Sequence, residues 1–125
     1  EKYRLEYLHT VSGTGTVPSA TVSLCVDGEK VQHSAWGDGP VDAAYKAIDA
    51  ATGTTAKVEE YVIHAITGGS QAMGEVMVQV SEDGKIIRGR GVSTDVIEAS
   101  AKAYIDALNR LAIRITRDQS PAQGV

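Results

Sequence analysis

The chain has 125 residues, of which 42% are hydrophobic and 22% charged, and its formal net charge is -4 at pH 7. These values are typical of one globular domain, and the acidic balance argues against a basic surface for nucleic acid. The single cysteine excludes an internal disulfide and favours a cytoplasmic setting. No apolar run approaches the roughly 20 residues of a membrane-spanning helix, so we expect no membrane contact.

The first half of the chain predicts three strands. Residues 3–11 form a strand candidate, and the glycine-bearing loop SGTG follows it. Apolar and polar residues then alternate over residues 22–26, which is the pattern of a half-buried strand. Asp27-Gly28 comes next, and this dipeptide predicts a tight hairpin turn into a third strand.

A helix is expected after this hairpin. Pro40 suits a first helical position and Gly53 a position just past the last turn, so the helix should cover about residues 40–52. The Gly37-Asp38-Gly39 segment directly precedes it.

The second half repeats the same order of elements. A strand candidate at 58–67 leads through the loop TGGS to an alternating segment at 76–80, and Asp83-Gly84 predicts a second hairpin. We align Gly89-Arg90-Gly91, which follows that hairpin, with the first Gly-x-Gly segment. This internal repeat is the strongest architectural signal in the sequence.

The second helix should start near Ser93 to Asp95 and end at about Ile115. Asp95 and Glu98 have the spacing of a capping box. The remaining residues, 118–125, show no periodicity and are predicted to form a flexible tail.

This second helix carries two apolar stripes. One contains Ile97, Tyr104, Leu108, Leu111 and Ile115, and the other contains Val96, Ala99, Ala103 and Ala107. Because such a helix is usually buried on two sides, the alanine stripe predicts contact with a partner subunit. The alternative is that both stripes face the chain's own sheet and first helix.

These patterns together predict an α+β domain over residues 1–117. It consists of two pseudo-symmetric βββα units, about 1–53 and 56–117, whose helices pack on antiparallel sheets, and it forms a homodimer.

The sequence offers no evident catalytic or metal site. His9, His33 and His64 lie in separate strand segments, without a second histidine or cysteine at metal-ligand spacing. Cys25 has no adjacent basic residue that would activate it. We therefore expect no catalytic residue, no metal and no cofactor in this fragment.

Each Gly-x-Gly segment leads toward a helix N-terminus, which offers unpaired N–H groups to a carboxylate. Beside the first segment, one face of the first helix could form a small apolar slot: Val41, Ala44, Tyr45 and Ile48. The alternative is that the glycines only turn the chain. Neither segment has the third glycine of a dinucleotide-binding fingerprint.

Three segments carry a family resemblance. GDGPVDAAYKAID at 37–49, TGGSQAMGEVMVQV at 67–80 and GRGVSTDVIEASAKAYIDALNRL at 89–111 resemble the C-terminal regulatory domain of 2-isopropylmalate synthase, which citramalate synthases share. The similarity extends from Tyr3 to about Leu111. It implies a dimeric domain that follows the catalytic barrel of an acetyl-CoA-dependent acyltransferase and binds the end-product amino acid near the subunit interface.

The resemblance also implies two sets of functional residues. The ligand region comprises Gly37, Asp38, Gly39, Pro40, Val41, Ala44, Tyr45, Ile48, Val58 and Tyr61. The second set resembles a segment whose alteration relieves feedback inhibition, and contact of this set with the ligand is left open: Gly89, Gly91, Ser93, Thr94 and Asp95.

Leucine is the expected effector, and isoleucine is the alternative if the domain is from a citramalate synthase. Another class of function is a dimerisation module that has lost its ligand. A third is an RNA-binding module that uses Lys85, Arg88 and Arg90, which the acidic balance and the lack of an aromatic platform oppose.

Overall fold

The computed structural model describes residues 1–68 and 71–119 and confirms the doubled βββα plan. Part of the TGGS loop and residues 120–125 of the predicted tail lie outside this range. The elements in chain order are β1 (Tyr3–Gly13), β2 (Thr16–Val26), β3 (Glu29–Trp36), α1 (Pro40–Thr52), β4 (Lys57–Gly68), β5 (Gln71–Glu82), β6 (Lys85–Ser93) and α2 (Val96–Gln119).

Both predicted hairpin turns are confirmed. Asp27 and Gly28 have φ values of 51° and 87°, and Asp83 and Gly84 have values of 51° and 78°. Positive φ at both central residues is the geometry of the type I′ turn, whose twist matches that of paired strands. These turns fix the register of β2 with β3 and of β5 with β6.

The strands form two separate antiparallel sheets, ordered β1-β2-β3 and β4-β5-β6. Helix α1 packs on β2 and β3, α2 packs on β5 and β6, and the two helices contact each other. The core lies between each helix and its sheet, where the alternating apolar residues of the central strands are fully buried: Ala20, Val22, Leu24, Val76, Val78 and Val80.

Helix α1 has the predicted limits. Pro40 is its first residue, and Gly53 ends it in the left-handed conformation with its N–H donated to the Asp49 carbonyl. Helix α2 starts as predicted but continues to Gln119, beyond the expected end at Ile115 and into the first residues of the predicted tail.

Two expectations about α2 are wrong. Gly89 and Gly91 do not turn the chain toward this helix, because they lie inside β6. A Cβ on either glycine would penetrate the α2 backbone near Ala103 or Ala99. Ala99, Ala103 and Ala107 are thus fully buried against the chain's own sheet rather than by a partner, as the alternative interpretation held, while Val96 of the same stripe is 37% exposed.

The two halves correspond differently from our alignment of the Gly-x-Gly segments. Asp27 and Asp83 occupy the same turn position. The helix that follows starts equally far along the chain from each of them, at Pro40 and at Val96. The structural counterpart of Gly37-Asp38-Gly39 is therefore Ser93-Thr94-Asp95.

The first strand of each half has a different environment. Tyr3 of β1 exchanges two hydrogen bonds with Asn109 of α2: its N–H donates to Oδ1 at 2.7 Å, and its carbonyl accepts from Nδ2 at 2.8 Å. Within the described residues neither helix backbone packs against β4. Strand β4 is therefore the uncovered part of the second sheet.

Candidate functional site

The turn before α1 contains two glycines with different roles. A Cβ on Gly37 would clash with the backbone of Ala43 and the carboxylate of Asp42, so the close approach of the turn to α1 requires glycine there. Gly39 is extended, with φ of -160°, and an added Cβ would meet nothing within 4 Å. The fold therefore accepts a side chain at Gly39.

Asp42 braces this turn from the first turn of the helix. Its Oδ2 accepts the N–H of Asp38 at 2.8 Å and lies 3.2 Å from Nζ of Lys46. The hydrogen bond from Asp38 is the main cause that holds the pKa of the Asp42 carboxyl below its usual value, with a smaller contribution from Lys46.

Other N–H groups at this helix end are unpaired. Ala43 donates to the Gly39 carbonyl at 2.9 Å, but the N–H groups of Gly39, Val41 and Asp42 have no acceptor within residues 1–68 and 71–119. Together with the helix dipole, such groups attract an anion. The first turn of α1 can therefore accept a carboxylate.

A tyrosine cluster connects α1, α2 and β4. The ring centroids of Tyr45 and Tyr104 are 4.5 Å apart, and Tyr61 contacts Tyr45 edge-on at 6.4 Å. The Tyr45 hydroxyl donates to the Ser100 carbonyl at 3.0 Å, while the Tyr61 hydroxyl and Ser100 Oγ are 2.6 Å apart. Burial raises the pKa of both Tyr45 and Tyr104, so both hydroxyls stay protonated at neutral pH.

The inner face of β4 continues from this cluster and is apolar. Val58, Tyr61 and Ile63 pair directly with residues of β5 that point into the core. Ile63 is 50% exposed, although its partner Val76 is fully buried. Within the described part of the chain this apolar strip is therefore covered only in part, by the contacts of Tyr61 with Tyr45 and Ser100.

The predicted ligand residues are divided between these environments. Val41 and Tyr45 are half-buried near the turn, and Tyr61 is brought against Tyr45. Ala44 and Ile48 are fully buried in the core, so they present no surface to a ligand in this structure.

Sequence reasoning did not identify Ser100 and Tyr104 as part of this cluster. Val96, Ser100 and Tyr104 follow each other at four-residue intervals on α2. This spacing places them on one face of the helix, and it is the sequence signal that could have identified them.

The second predicted segment has evident structural roles. Asp95 caps α2, since its Oδ1 accepts the Ile97 N–H at 2.8 Å. Glu98 does not complete a capping box, because its Oε1 instead accepts the Ser93 hydroxyl at 2.5 Å. Thr94 is exposed, and Gly91 packs against α2.

The described residues contain no group of three or more His, Cys, Asp or Glu side chains with a metal-binding arrangement. In the same part of the chain, no helix is both long and apolar enough to cross a membrane.

Comparison with known proteins defines the class of domain. The family described as the LeuA allosteric (dimerisation) domain matches residues 1–112, and the chain belongs to this family.

Its relatives include proteins named 2-isopropylmalate synthase. Those of Carboxydothermus hydrogenoformans and Heliobacterium modesticaldum are 53% and 52% identical over 89% of this chain. That of Dictyoglomus turgidum is 47% identical over 94% of the chain. The chain spans 22% of the length of the first two relatives and 24% of the third.

Proposed function

We propose that the chain is the feedback-regulatory domain of a 2-isopropylmalate synthase and that it binds leucine. The family and the names of its relatives support the regulatory role. The structural observation that supports an amino-acid ligand is the first turn of α1, where N–H groups without acceptors lie next to apolar side chains.

Leucine matches the chemistry of this region. Its carboxylate would accept hydrogen bonds from the N–H groups of Gly39, Val41 and Asp42, as an anion does at a helix N-terminus. Its ammonium would pair with the carboxylate of Asp38, which is exposed in the turn. Its side chain would bury against Val41 and, one helical turn further, Tyr45.

We also propose that a second copy of the chain covers the inner face of β4. Val58, Tyr61 and Ile63 give this face the apolar character of an obligate interface. Its counterpart β1 is held against α2 through Tyr3, whereas neither helix backbone packs against β4 within the described residues. Since Tyr61 also contacts Tyr45, the interface would adjoin the leucine site.

The complete enzyme would carry this domain next to a catalytic barrel that uses acetyl-CoA, and it would be located in the cytoplasm. The domain itself contributes regulation. Binding experiments distinguish this proposal from two alternatives. One is the regulatory domain of a citramalate synthase with isoleucine as effector, and the other is a dimerisation module without ligand.

Calorimetric titration of the chain with leucine, isoleucine, valine and alanine tests the effector. Leucine has three more carbons than alanine, and each buried CH₂ contributes roughly 0.8 kcal/mol, so leucine should bind at least about tenfold more tightly. Isoleucine should bind more weakly than leucine because its branch at Cβ widens the side chain near the charged end. Equal affinities for leucine and alanine would contradict the proposed pocket, and the absence of saturable binding of all four amino acids would support the dimerisation module.

Gly39→Ala tests the position of the ligand carboxylate. Because an added Cβ meets nothing within 4 Å among the described residues, the melting temperature without ligand should not change, while leucine affinity should fall at least about tenfold. Leucinamide is the matched ligand control, since it retains the side chain and ammonium but lacks the negative charge. If leucinamide binds as tightly as leucine and Gly39→Ala is tolerated, the carboxylate is bound elsewhere.

A further inference from the structure

A second candidate site lies at the C-terminal part of α2, and none of its lining residues belongs to the turn at Gly39. It is a groove of about 860 Å³ between the C-terminal part of α2 and strands β5 and β6. Four arginines and two exposed isoleucines dominate its lining: Ile86, Arg88, Arg110, Ile113, Arg114 and Arg117. No acidic residue lines it, although the chain as a whole has a net charge of -4.

Two of the guanidinium groups are held in place by neighbouring side chains. Nε of Arg88 donates to Oε1 of Gln79 at 3.2 Å, and Nε of Arg110 donates to Oδ2 of Asp106 at 3.1 Å. A guanidinium has five N–H donors, so each group keeps donors for a ligand. These contacts orient the groups before any ligand arrives, which lowers the entropy cost of binding.

The other two arginines complete the site. Nη1 of Arg114 donates to the carbonyl of Ile86 at 3.1 Å, which fixes a third guanidinium beside the edge strand β6. Arg117 has no hydrogen bond or ion pair within residues 1–68 and 71–119. Of the four groove arginines, only Arg110 has a carboxylate partner within the described residues, so three of their positive charges are left without a counter-charge there.

The helix dipole does not account for this cluster. Basic side chains are common near the C-terminal end of a helix, where the dipole is negative. Arg88, however, lies on β6, and Arg114 donates to a carbonyl of that strand rather than to the end of α2. Bringing like charges together costs free energy that a bound anion would offset.

We propose that this groove binds a small polyanion, a molecule with two or more phosphate or carboxylate groups. Guanidinium groups bind both kinds of oxyanion through paired N–H donors, and separate arginines allow several anionic groups to be held together. The exposed side chains of Ile86 and Ile113 provide an apolar wall for the carbon portion of the ligand. The site is distinct from the proposed leucine site at the start of α1.

Pyrophosphate and citrate are suitable probes for the two sources of anionic groups. The chain is titrated with each at constant ionic strength, and backbone amide chemical shifts are followed by NMR. Saturable shifts at Arg88 and along residues 110–117 are expected. Saturation with pyrophosphate alone indicates a phosphate ligand, saturation with citrate alone indicates a polycarboxylate, and saturation with both indicates recognition of charge irrespective of its source.

Arg117→Gln and Arg88→Gln test whether the groove is responsible. Each should raise the Kd of the binding probe about fivefold or more. Arg117→Gln should not change the melting temperature, because Arg117 has no partner within the described residues. Lys30→Gln, on β3 of the other sheet and outside the groove lining, is the matched control and should leave the Kd unchanged. Absence of saturation with both probes, or a Kd that neither arginine variant alters, would overturn the proposal.

Discussion

At the residue scale, Tyr104 is a buried tyrosine whose hydroxyl contacts the ionisable carboxyl group of Asp49. The hydroxyl of Tyr104, a side chain that is 1% exposed, donates to Oδ1 of Asp49. Burial raises the pKa of the Asp49 carboxyl, and the hydrogen bond from Tyr104 offsets only part of that effect. The charged form of Asp49 is therefore disfavoured in the folded state.

This pKa shift has a defined consequence for stability. Because the folded state binds the Asp49 proton more tightly than the unfolded state, stability falls as pH rises from the ordinary Asp pKa of about 3.9 through the raised folded value. Asp49→Asn removes the charge. The free energy of unfolding of this variant minus that of wild type should therefore be larger at pH 7 than at pH 4. Urea unfolding at both pH values measures this difference.

Asp42→Asn provides the opposite control. The folded pKa of Asp42 is lowered, so its charged form contributes stability that is lost as pH falls through the folded pKa. This variant should lose more stability at pH 7 than at low pH. If the two variants show the same pH trend, the assigned environments of these carboxyls are wrong.

At the element scale, β6 and α2 are joined by glycine–alanine contacts. Gly89 and Gly91 bring the strand close enough to α2 that Ala99, Ala103 and Ala107 are completely buried. The Arg90 N–H donates to Oδ2 of Asp106 at 2.9 Å, so this backbone donor on the edge strand β6 has a hydrogen-bond partner. Helix α1 of the first half also has fully buried alanines, Ala43 and Ala47, but β3 contains no glycine that would allow the same close approach.

Gly91→Ala should disrupt that packing. The new Cβ would overlap the Ala99 carbonyl, a backbone atom that cannot rotate away, and overpacking of this kind costs about 1 to 3 kcal/mol. Denaturant unfolding should show this loss. Gly39→Ala is the control, with almost no change expected, and equal stability of the two variants would refute the close-contact account.

At the scale of the whole molecule, the chain covers its two sheets unequally. Helix α2 extends to β1 of the first sheet but leaves β4 of the second sheet open. The apolar inner face of β4 therefore determines where we expect the second copy, and the buried alanine stripe is no longer available for it.

Ile63→Lys tests this interface against Val62→Lys. Both residues are exposed and adjacent on β4, but Ile63 is on the inner face and Val62 on the outer face. A charge in an apolar interface is costly, so Ile63→Lys should raise the dimer dissociation constant at least about tenfold, while Val62→Lys should change it little. Sedimentation velocity measures both, and a monomeric wild-type chain at tens of micromolar would contradict the interface.

Much of the fold was predictable because its signals are local. The Asp-Gly turns, the alternation over 76–80 and the helix limits at Pro40 and Gly53 depend on the conformational preferences of neighbouring residues. The ligand region was less accessible. Tyr45 was named from the apolar face of the first helix and Tyr61 from the family resemblance, but nothing in their spacing showed that their rings are in contact.

The sequence by itself determined the element order, the turn geometry and the internal repeat, since these follow from interactions over a few residues. Only the tertiary structure decided that Gly91 packs against Ala99 and that Ile48 is enclosed in the core. It also decided that β4 remains open. Such outcomes depend on which surfaces meet after residues distant in sequence are brought together. Periodicity within a single element indicates that a face is buried but does not identify the element that covers it.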